Sequence, residues 1–503
     1  MLDRIEELSK LGAKDAAQEL LSQLQDMMEG MSGPMAATPS RATARGMSRS
    51  IASATRRACE DLARTADRPV SATARADDTT ARPPAPAPGA SGDPWLPLPF
   101  LVTGLGAMLL LALVYPWHLD LLRGSFYDTH LLAFVHVNTL GVVGAVIFGA
   151  SYQMLPIVLQ TPLAAPGIAR LSRWLYVPGL IAFVVGLGHG ETVMLGIGGS
   201  LIFGAVLLYV WSIARTLAVA PHRDVTWWHV AAATTALATG ATLGLLLALS
   251  KQVGFLAGLT FPILAAHVVL MLGGWVTPLL TGVAYRLVSM FTITEDRIRP
   301  GRAACALGLT AGGAWLLAVS LLAGLGWFGR VAGATSLLAG LVLFASQIVD
   351  LYRHRLRRSS DVHVPFMLVS LASGLSATAL LAWGLAAGRG PADPLWIVVG
   401  WLAIVGWAQT AIQGFLYKIG PFLTWLHRYG ALAGVQRVPM LEDLYSAWLA
   451  RFGWAAWTAG LVLGAICPLT TVEWLPVAAA VALSLGGVAV IANGARVGSH
   501  WLR

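Results

Sequence analysis

Two histidines lie deep inside long apolar stretches of this sequence, where an ionisable side chain is costly and marks a candidate binding site. His136 lies about two turns inside the second apolar stretch, with Asn138 beside it, and His267 lies midway along the sixth. Imidazole nitrogens suit haem iron and copper, so His136 and His267 are the candidate cofactor and metal ligands. Neutral imidazole also forms good hydrogen bonds between helices, and the residues alone leave this structural role open.

The other chemistry-bearing residues point to no second site. His130 and His136 are six residues apart, so they occupy different faces of a helix and cannot easily share a metal ion. The three cysteines, Cys59, Cys305 and Cys467, are far apart and form no C-x-x-C pair, which argues against a disulfide framework or a zinc site. No Asp or Glu falls in the middle of an apolar stretch, so intramembrane proton uptake and proton pumping are not expected.

The helices that must position the two histidines carry a repeated pattern. In each copy a tyrosine follows one glycine by 11 residues and another by three, and a proline or serine comes four residues later. Spaced glycines let neighbouring helices approach closely, and we expect the tyrosine hydroxyl at the membrane interface. Packing alone explains the pattern. The three copies are Gly141, Gly149, Tyr152 and Pro156; Gly274, Gly282, Tyr285 and Ser289; and Gly406, Gly414, Tyr417 and Pro421.

Composition defines the class of protein. The 503 residues are 56% hydrophobic and 12% charged, as is typical of a polytopic membrane protein, whose spans each need about 20 mostly apolar residues. We predict an all-α integral membrane protein of 12 transmembrane helices in three four-helix repeats with pseudo-threefold organisation, because the pattern falls in the second, sixth and tenth spans. The predicted spans are 96–116, 130–158, 174–190, 193–213, 227–249, 255–290, 303–325, 331–351, 363–386, 394–425, 452–468 and 474–494.

The distribution of basic residues predicts the orientation of these spans. Arginine is concentrated in the even-numbered loops between spans, and the odd-numbered loops hold only Arg123, Lys251, Arg330 and Arg389. Basic loops favour the cytoplasmic side, so both termini are predicted to be cytoplasmic, in a bacterial-type inner membrane. The lipid bilayer is therefore the expected partner, and nucleic acid is not, because the arginines are spread over several loops.

The chain divides into four segments. Residues 1–32 are predicted to form an amphipathic helix, with Ile5, Leu8 and Leu11 near one face. Residues 33–95 are rich in Ala, Arg, Ser and Pro and cannot bury a core, which predicts a disordered linker. Residues 96–495 form the transmembrane domain, and 496–503 form a cytoplasmic tail.

Residues 95–495 resemble the catalytic subunit of the haem–copper oxidase superfamily, which includes the terminal oxidases and the nitric oxide reductases. The run from His136 through Asn138 to Tyr152 is similar to that family's second helix, which carries a haem ligand. Ala266 and His267, followed by Gly273-Gly274-Trp275, are similar to its sixth helix, which supplies a copper ligand. The resemblance implies an oxidase subunit I-like fold, a b-type haem, and His136 and His267 as ligands.

The sequence departs from the family at several metal positions. The family's seventh helix carries two copper histidines and its tenth carries one ligand for each of two haems, but 303–325 and 394–425 contain no histidine. Met271 stands where the oxidases have a tyrosine one turn after the histidine of helix six. The oxygen-reducing centre cannot be built as the family builds it, so copper and terminal oxidase activity are not expected.

Three hypotheses follow from these observations. The first is a haem b protein that serves electron transfer or the handling of nitric oxide or haem, with His136 as the leading axial ligand. The second is a non-redox permease or accessory subunit in which the buried histidines are structural. The third is a redox enzyme whose missing ligands come from a second subunit or redox partner. The residues leave open whether the chain is an enzyme.

Overall fold

The computed structural model of this chain describes residues 95–356, 361–430, 432–433 and 436–501, which are predominantly helical and contain no β-strand. The amphipathic helix and the linker predicted for residues 1–95 lie outside the described residues except at Trp95. Two of the predicted loop arginines, Arg357 and Arg358, also lie outside them. The remaining segments form one helical body that extends almost to the C-terminus.

Twelve helices among the described residues are long and apolar enough to cross a membrane, which confirms the predicted number. The predicted third and eleventh spans begin earlier in the structure, because hydropathy undervalues first turns that carry Arg170, Arg173 and Arg451. We number the helices α1 Leu98–Arg123, α2 Thr129–Val158, α3 Pro166–His189, α4 Thr192–Val219, α5 Val225–Val253, α6 Thr260–Thr292, α7 Pro300–Leu322, α8 Gly326–Arg353, α9 His363–Ala386, α10 Leu395–Arg428, α11 Ala447–Leu469 and α12 Trp474–Ser499.

Helices α2, α6 and α10 form the centre of the bundle. Within the most apolar 18 residues of these three helices, 72%, 61% and 61% are buried, whereas the other nine helices have 33–50% buried. The outer helices expose large apolar side chains such as Leu113, Val185 and Val342, which suits contact with lipid tails. The helices that carry the repeated pattern are thus the ones most enclosed by protein.

Each central helix changes from α- to π-helical hydrogen bonding near its middle. The π segments are Val137–Gly144 in α2, Leu270–Val276 in α6 and Leu402–Gln409 in α10, and the third contacts the other two. In α6 and α10 a threonine hydroxyl just after the segment donates to the carbonyl five residues earlier, from Thr277 to Leu272 and from Thr410 to Val405, both at 2.8 Å. Such segments are rare and occur often at functional sites.

The repeated glycines place each central helix against the helix that precedes it in the chain. A Cβ added at Gly141 or Gly274 would lie 2.8 Å from the Cβ of an alanine on α1 or α5, and one at Gly406 would lie 2.5 Å from a serine Cβ on α9. The second glycine of each copy meets a larger side chain, seven residues earlier on the same neighbour. The contact pairs are Gly141 with Ala107, Gly274 with Ala236, Gly406 with Ser373, Gly149 with Phe100, Gly282 with His229, and Gly414 with Phe366.

The hydroxyls of the repeated tyrosines are enclosed by the bundle. Their side chains are buried, and each hydroxyl shares a hydrogen bond with a polar side chain of another helix. A buried hydroxyl needs such a partner, since leaving it unpaired would cost about 1–3 kcal/mol. The bonds join Tyr152 to Ser172 at 2.9 Å, Tyr285 to Gln347 at 3.2 Å and Tyr417 to Asn493 at 3.2 Å.

Candidate ligand-binding interior

The backbone of its own helix orients the ring of His136. Its Nδ1 lies 2.7 Å from the carbonyl oxygen of Leu132, one turn earlier, and the ring packs edge-on against Phe183 of α3 at a centroid distance of 5.0 Å. A carbonyl oxygen only accepts hydrogen bonds, so Nδ1 carries the proton in the neutral ring. Nε2 is then the nitrogen with a free lone pair, which is the form that ligates a metal.

A carbonyl of the neighbouring helix orients His267 in the same way. Its Nδ1 lies 2.7 Å from the carbonyl oxygen of Gly240 on α5, and the ring edge packs against Gly244 one turn further along. This contact also leaves Nε2 as the unprotonated nitrogen. The two rings pack on different helices, His136 on Phe183 of α3 and His267 on Gly240 and Gly244 of α5.

The chemistry of this pair is that of two neutral nitrogen donors. No group of three or more His, Cys, Asp or Glu side chains that could hold a metal ion occurs among the described residues. A structural zinc ion needs four ligands and a catalytic one needs three, so the pair does not fit zinc. Haem iron needs only one or two axial ligands, and a histidine whose Nδ1 is held by a carbonyl supplies one.

Two further histidines among the described residues are buried, His229 in a packing role and His363 with its Nδ1 3.9 Å from a carboxylate oxygen of Asp361. His229 of α5 bonds through Nδ1 to the Val225 carbonyl at 2.7 Å and fills the space beside Gly282. It occupies the place that Phe100 and Phe366 take against the equivalent glycines, so an aromatic ring there serves helix contact. His118 and His189 are exposed at helix ends.

A large cavity lies between α2, α6 and α10 and is bounded on its other side by α7, α8 and α9. It has a volume of about 570 Å³, within the range of small-molecule sites. It extends from the ends of the helices at the odd-numbered loops, near Phe126 and Phe261, to mid-helix residues Asn138, Thr277 and Trp407. All three π segments contribute to its inner end, so the irregular turns shape this space.

The polar side chains at the inner end of the cavity are already paired within the protein. Trp407 Nε1 donates to Thr277 Oγ1 at 3.0 Å, and the Asn138 amide accepts from the Tyr115 hydroxyl and donates to the Phe134 carbonyl. The side chains of Asn138, Thr277 and Trp407 at the deep end are thus bonded within the protein, which favours an apolar ligand there.

Neither His136 nor His267 lines this cavity, and no other histidine does. A haem in the cavity would have no histidine as axial ligand, so the cavity residues do not fit the group that the resemblance implies. The fold thus holds two candidate sites, a histidine pair and a separate apolar cavity. Sequence reasoning found the first and missed the second, because leucine, valine and alanine that line a cavity look like ordinary packing residues.

A third feature lies at the end of the bundle that is opposite to the cavity opening. There, Lys418 of α10 forms an ion pair with Asp361, just before the start of α9. The Lys418 ammonium also lies 4.4 Å from the centre of the Phe291 ring on α6, so one side chain connects three helices. Lys418 follows the repeated tyrosine, and Gln153 and Arg286 at the equivalent positions bond to His427 and Glu295.

We expect Asp361→Ala to destabilise the protein, because the charge of Lys418 would lose its partner. Both side chains are less than a fifth exposed, and removing one member of a buried pair costs about 3 kcal/mol, reduced here to about 2 kcal/mol by partial exposure. The midpoint of thermal unfolding in detergent measures the effect. Glu295→Ala is the control, because that carboxylate is half exposed and 3.7 Å from Arg286. Equal midpoints for both variants would contradict the prediction.

Comparison with known proteins adds one match. A family model described as a domain of unknown function, DUF4175, matches residues 1–78, outside the described part of the chain. No curated protein matches the chain. The match covers less than a sixth of the 503 residues and does not include the membrane helices, the histidine pair or the cavity.

Proposed function

We propose that this chain is a multi-pass membrane protein that binds a b-type haem through His136 and His267 and serves electron transfer or nitric oxide handling. The observation that carries the proposal is the matched presentation of the two imidazoles. Each Nδ1 is held at 2.7 Å by a backbone carbonyl, which leaves each Nε2 free to ligate iron. Bound haem would supply one-electron chemistry, while the protein fixes the tautomer and excludes water.

The proposal includes the organisation suggested by the repeated helices. Three four-helix repeats, arranged around α2, α6 and α10, are supported by the equivalent glycine contacts and the three π segments. Such an arrangement is the one that the resemblance to the haem–copper oxidases implies. The arginine-rich even loops support cytoplasmic termini in a bacterial-type inner membrane.

Oxygen reduction is not part of the proposed function. The described part of α7 contains no histidine, and α10 contains only His427 close to its far end, where it shares a hydrogen bond with Gln153. The donors that would complete an oxygen-reducing centre are thus missing from the helices where the family places them. A redox partner or second subunit would have to receive or deliver the electron.

The experiment that tests haem binding is the absorption spectrum of the full chain, purified in detergent after expression with ample haem. We expect sharp bands after dithionite reduction and about one haem per chain by the pyridine haemochrome assay. Haem-free protein that is monodisperse and folded would overturn the proposal. A bound haem that also takes up carbon monoxide would indicate an open coordination position, and so only one histidine ligand.

A second candidate function, a non-redox permease or accessory subunit, is favoured by the large apolar cavity. That cavity opens at one end of the bundle, stops near mid-helix and is lined by no histidine. These properties suit the binding of a membrane-soluble molecule. The first function predicts haem at His136 and His267, and the second predicts an apolar molecule in the cavity. Binding at each place can therefore be measured separately.

A further inference from the structure

The cavity between α2, α6, α7, α8, α9 and α10 carries charge only at its open end. Its lining includes Arg330 at the start of α8 and Arg389 just after α9, and no aspartate or glutamate among the described residues. Trp327, one turn before Arg330, donates from Nε1 to the carbonyl of Ala386 at 3.2 Å, one turn before Arg389. This bond places the two arginines on the same side of the rim.

The tryptophan N–H groups along the cavity wall already donate hydrogen bonds to protein atoms. Trp396 Nε1 donates to the Gly390 carbonyl at 2.7 Å, Trp401 Nε1 to the Leu461 carbonyl at 2.9 Å, and Trp407 to Thr277. A ligand group placed along this wall therefore meets apolar atoms and aromatic faces. The cavity separates into a long apolar interior and a cationic rim.

The two rim arginines differ in whether they already have an ion-pair partner within the protein. Arg389 pairs with Asp393 at 3.2 Å and stacks over Trp383 with 4.9 Å between its guanidinium carbon and the ring centre. Arg330 has no ion pair with a described carboxylate, and its Nε is shielded from solvent without a hydrogen-bond partner among the described residues. A guanidinium at such a position is suited to a planar anionic acceptor, which it can bind with two parallel hydrogen bonds.

We propose that the cavity binds a long-chain fatty acid, with its carboxylate at Arg330 and Arg389 and its alkyl chain extending to Trp407. A single anionic head and an apolar tail match the distribution of charge along the cavity, and the volume of about 570 Å³ accommodates one such molecule. This inference deepens the second candidate function and is independent of haem, because neither His136 nor His267 lines the cavity.

Equilibrium binding of radiolabelled palmitate to the full chain in maltoside detergent tests the proposal. We expect saturable binding of one palmitate per chain and weaker binding in Arg330→Gln and Arg389→Gln, with the double variant weaker by about tenfold or more. Palmityl alcohol, which has the same chain without the carboxylate, should bind equally to the double variant and the unsubstituted protein. Lys251→Gln is the matched control, because Lys251 is a basic residue at the same end but does not line the cavity.

A substitution that fills the cavity tests whether the alkyl chain lies there. Val399 lines the wall, so Val399→Trp should abolish palmitate binding while the protein remains monodisperse in size-exclusion chromatography. Palmitate binding that is unchanged in the double arginine variant or in Val399→Trp would overturn the proposal. Saturable binding of an anionic phospholipid that excludes palmitate would overturn the fatty acid as ligand. Haem content measured on the same samples reports separately on the histidine pair.

Discussion

Replacing His136 with alanine is expected to remove most of the bound haem from the purified protein. His136 presents an unprotonated Nε2 because its Nδ1 proton is held by the Leu132 carbonyl at 2.7 Å. Loss of even an outer-shell partner lowers metal affinity by 10- to 100-fold, so loss of the ligand itself should lower haem content at least about tenfold. The pyridine haemochrome assay, normalised to monodisperse protein, measures the change.

Two further variants make this result specific. His189→Ala removes an exposed imidazole at the end of α3 and should leave haem content unchanged. His267→Ala should leave haem bound through His136 but shift the reduced bands, since one axial nitrogen is lost. A reduced spectrum of full intensity in His136→Ala would contradict the assignment, and identical spectra with and without His267 would make that ring a packing residue.

Replacing Gly274 with leucine is expected to destabilise the bundle by about 3 kcal/mol. Even the first carbon of the new side chain would lie 2.8 Å from the Cβ of Ala236, which belongs to a short and inflexible side chain on α5. Helices α5 and α6 would have to separate, and α6 would lose packing along its length. The midpoint of thermal unfolding in detergent, followed by circular dichroism, measures the loss.

Gly312→Leu provides the matched control. Gly312 is an exposed glycine on α7 with no atom within 4 Å of an added Cβ, and leucine there would face the lipid or detergent. We expect that variant to unfold at or slightly above the midpoint of the unsubstituted protein, because glycine is a poor helix former. Gly141→Leu should behave like Gly274→Leu, since its contact with Ala107 is equally short. Similar midpoints for Gly274→Leu and Gly312→Leu would contradict the close contact.

Much of the fold could be predicted because its signals are local. Hydropathy gave 12 spans, and the spacing of glycines identified α2, α6 and α10, which are the most buried helices. The hydrogen-bond partners of the repeated tyrosines, Ser172, Gln347 and Asn493, were not predicted. Nothing in the spacing within one helix reveals a partner on another helix.

The site was less predictable than the fold. His136 and His267 stood out because polar residues are rare in apolar spans, but the Leu132 and Gly240 carbonyls that fix their tautomers are visible only in the structure. The cavity exists where apolar side chains of neighbouring helices do not fill the space between them. That depends on how the helices are placed, and residue types alone do not reveal it. Arg330 and Arg389 were visible as two of the few basic residues in the odd-numbered loops, but their shared rim depends on the contact between Trp327 and Ala386.

The π segments are the places where the central helices can accept insertions or deletions. A π segment changes the angular register of the turns before it relative to those after it. In α2, Asn138 at the inner end of the cavity belongs to the segment, whereas Gly149 and Tyr152, which pack on neighbouring helices, follow it. A single-residue insertion or deletion inside the segment would therefore rotate one half of the helix and leave the packing of the other half intact. Insertions or deletions in the π segments of α2, α6 and α10 would thus change the cavity lining, and with it the preferred ligand, while the helix packing of the bundle is kept.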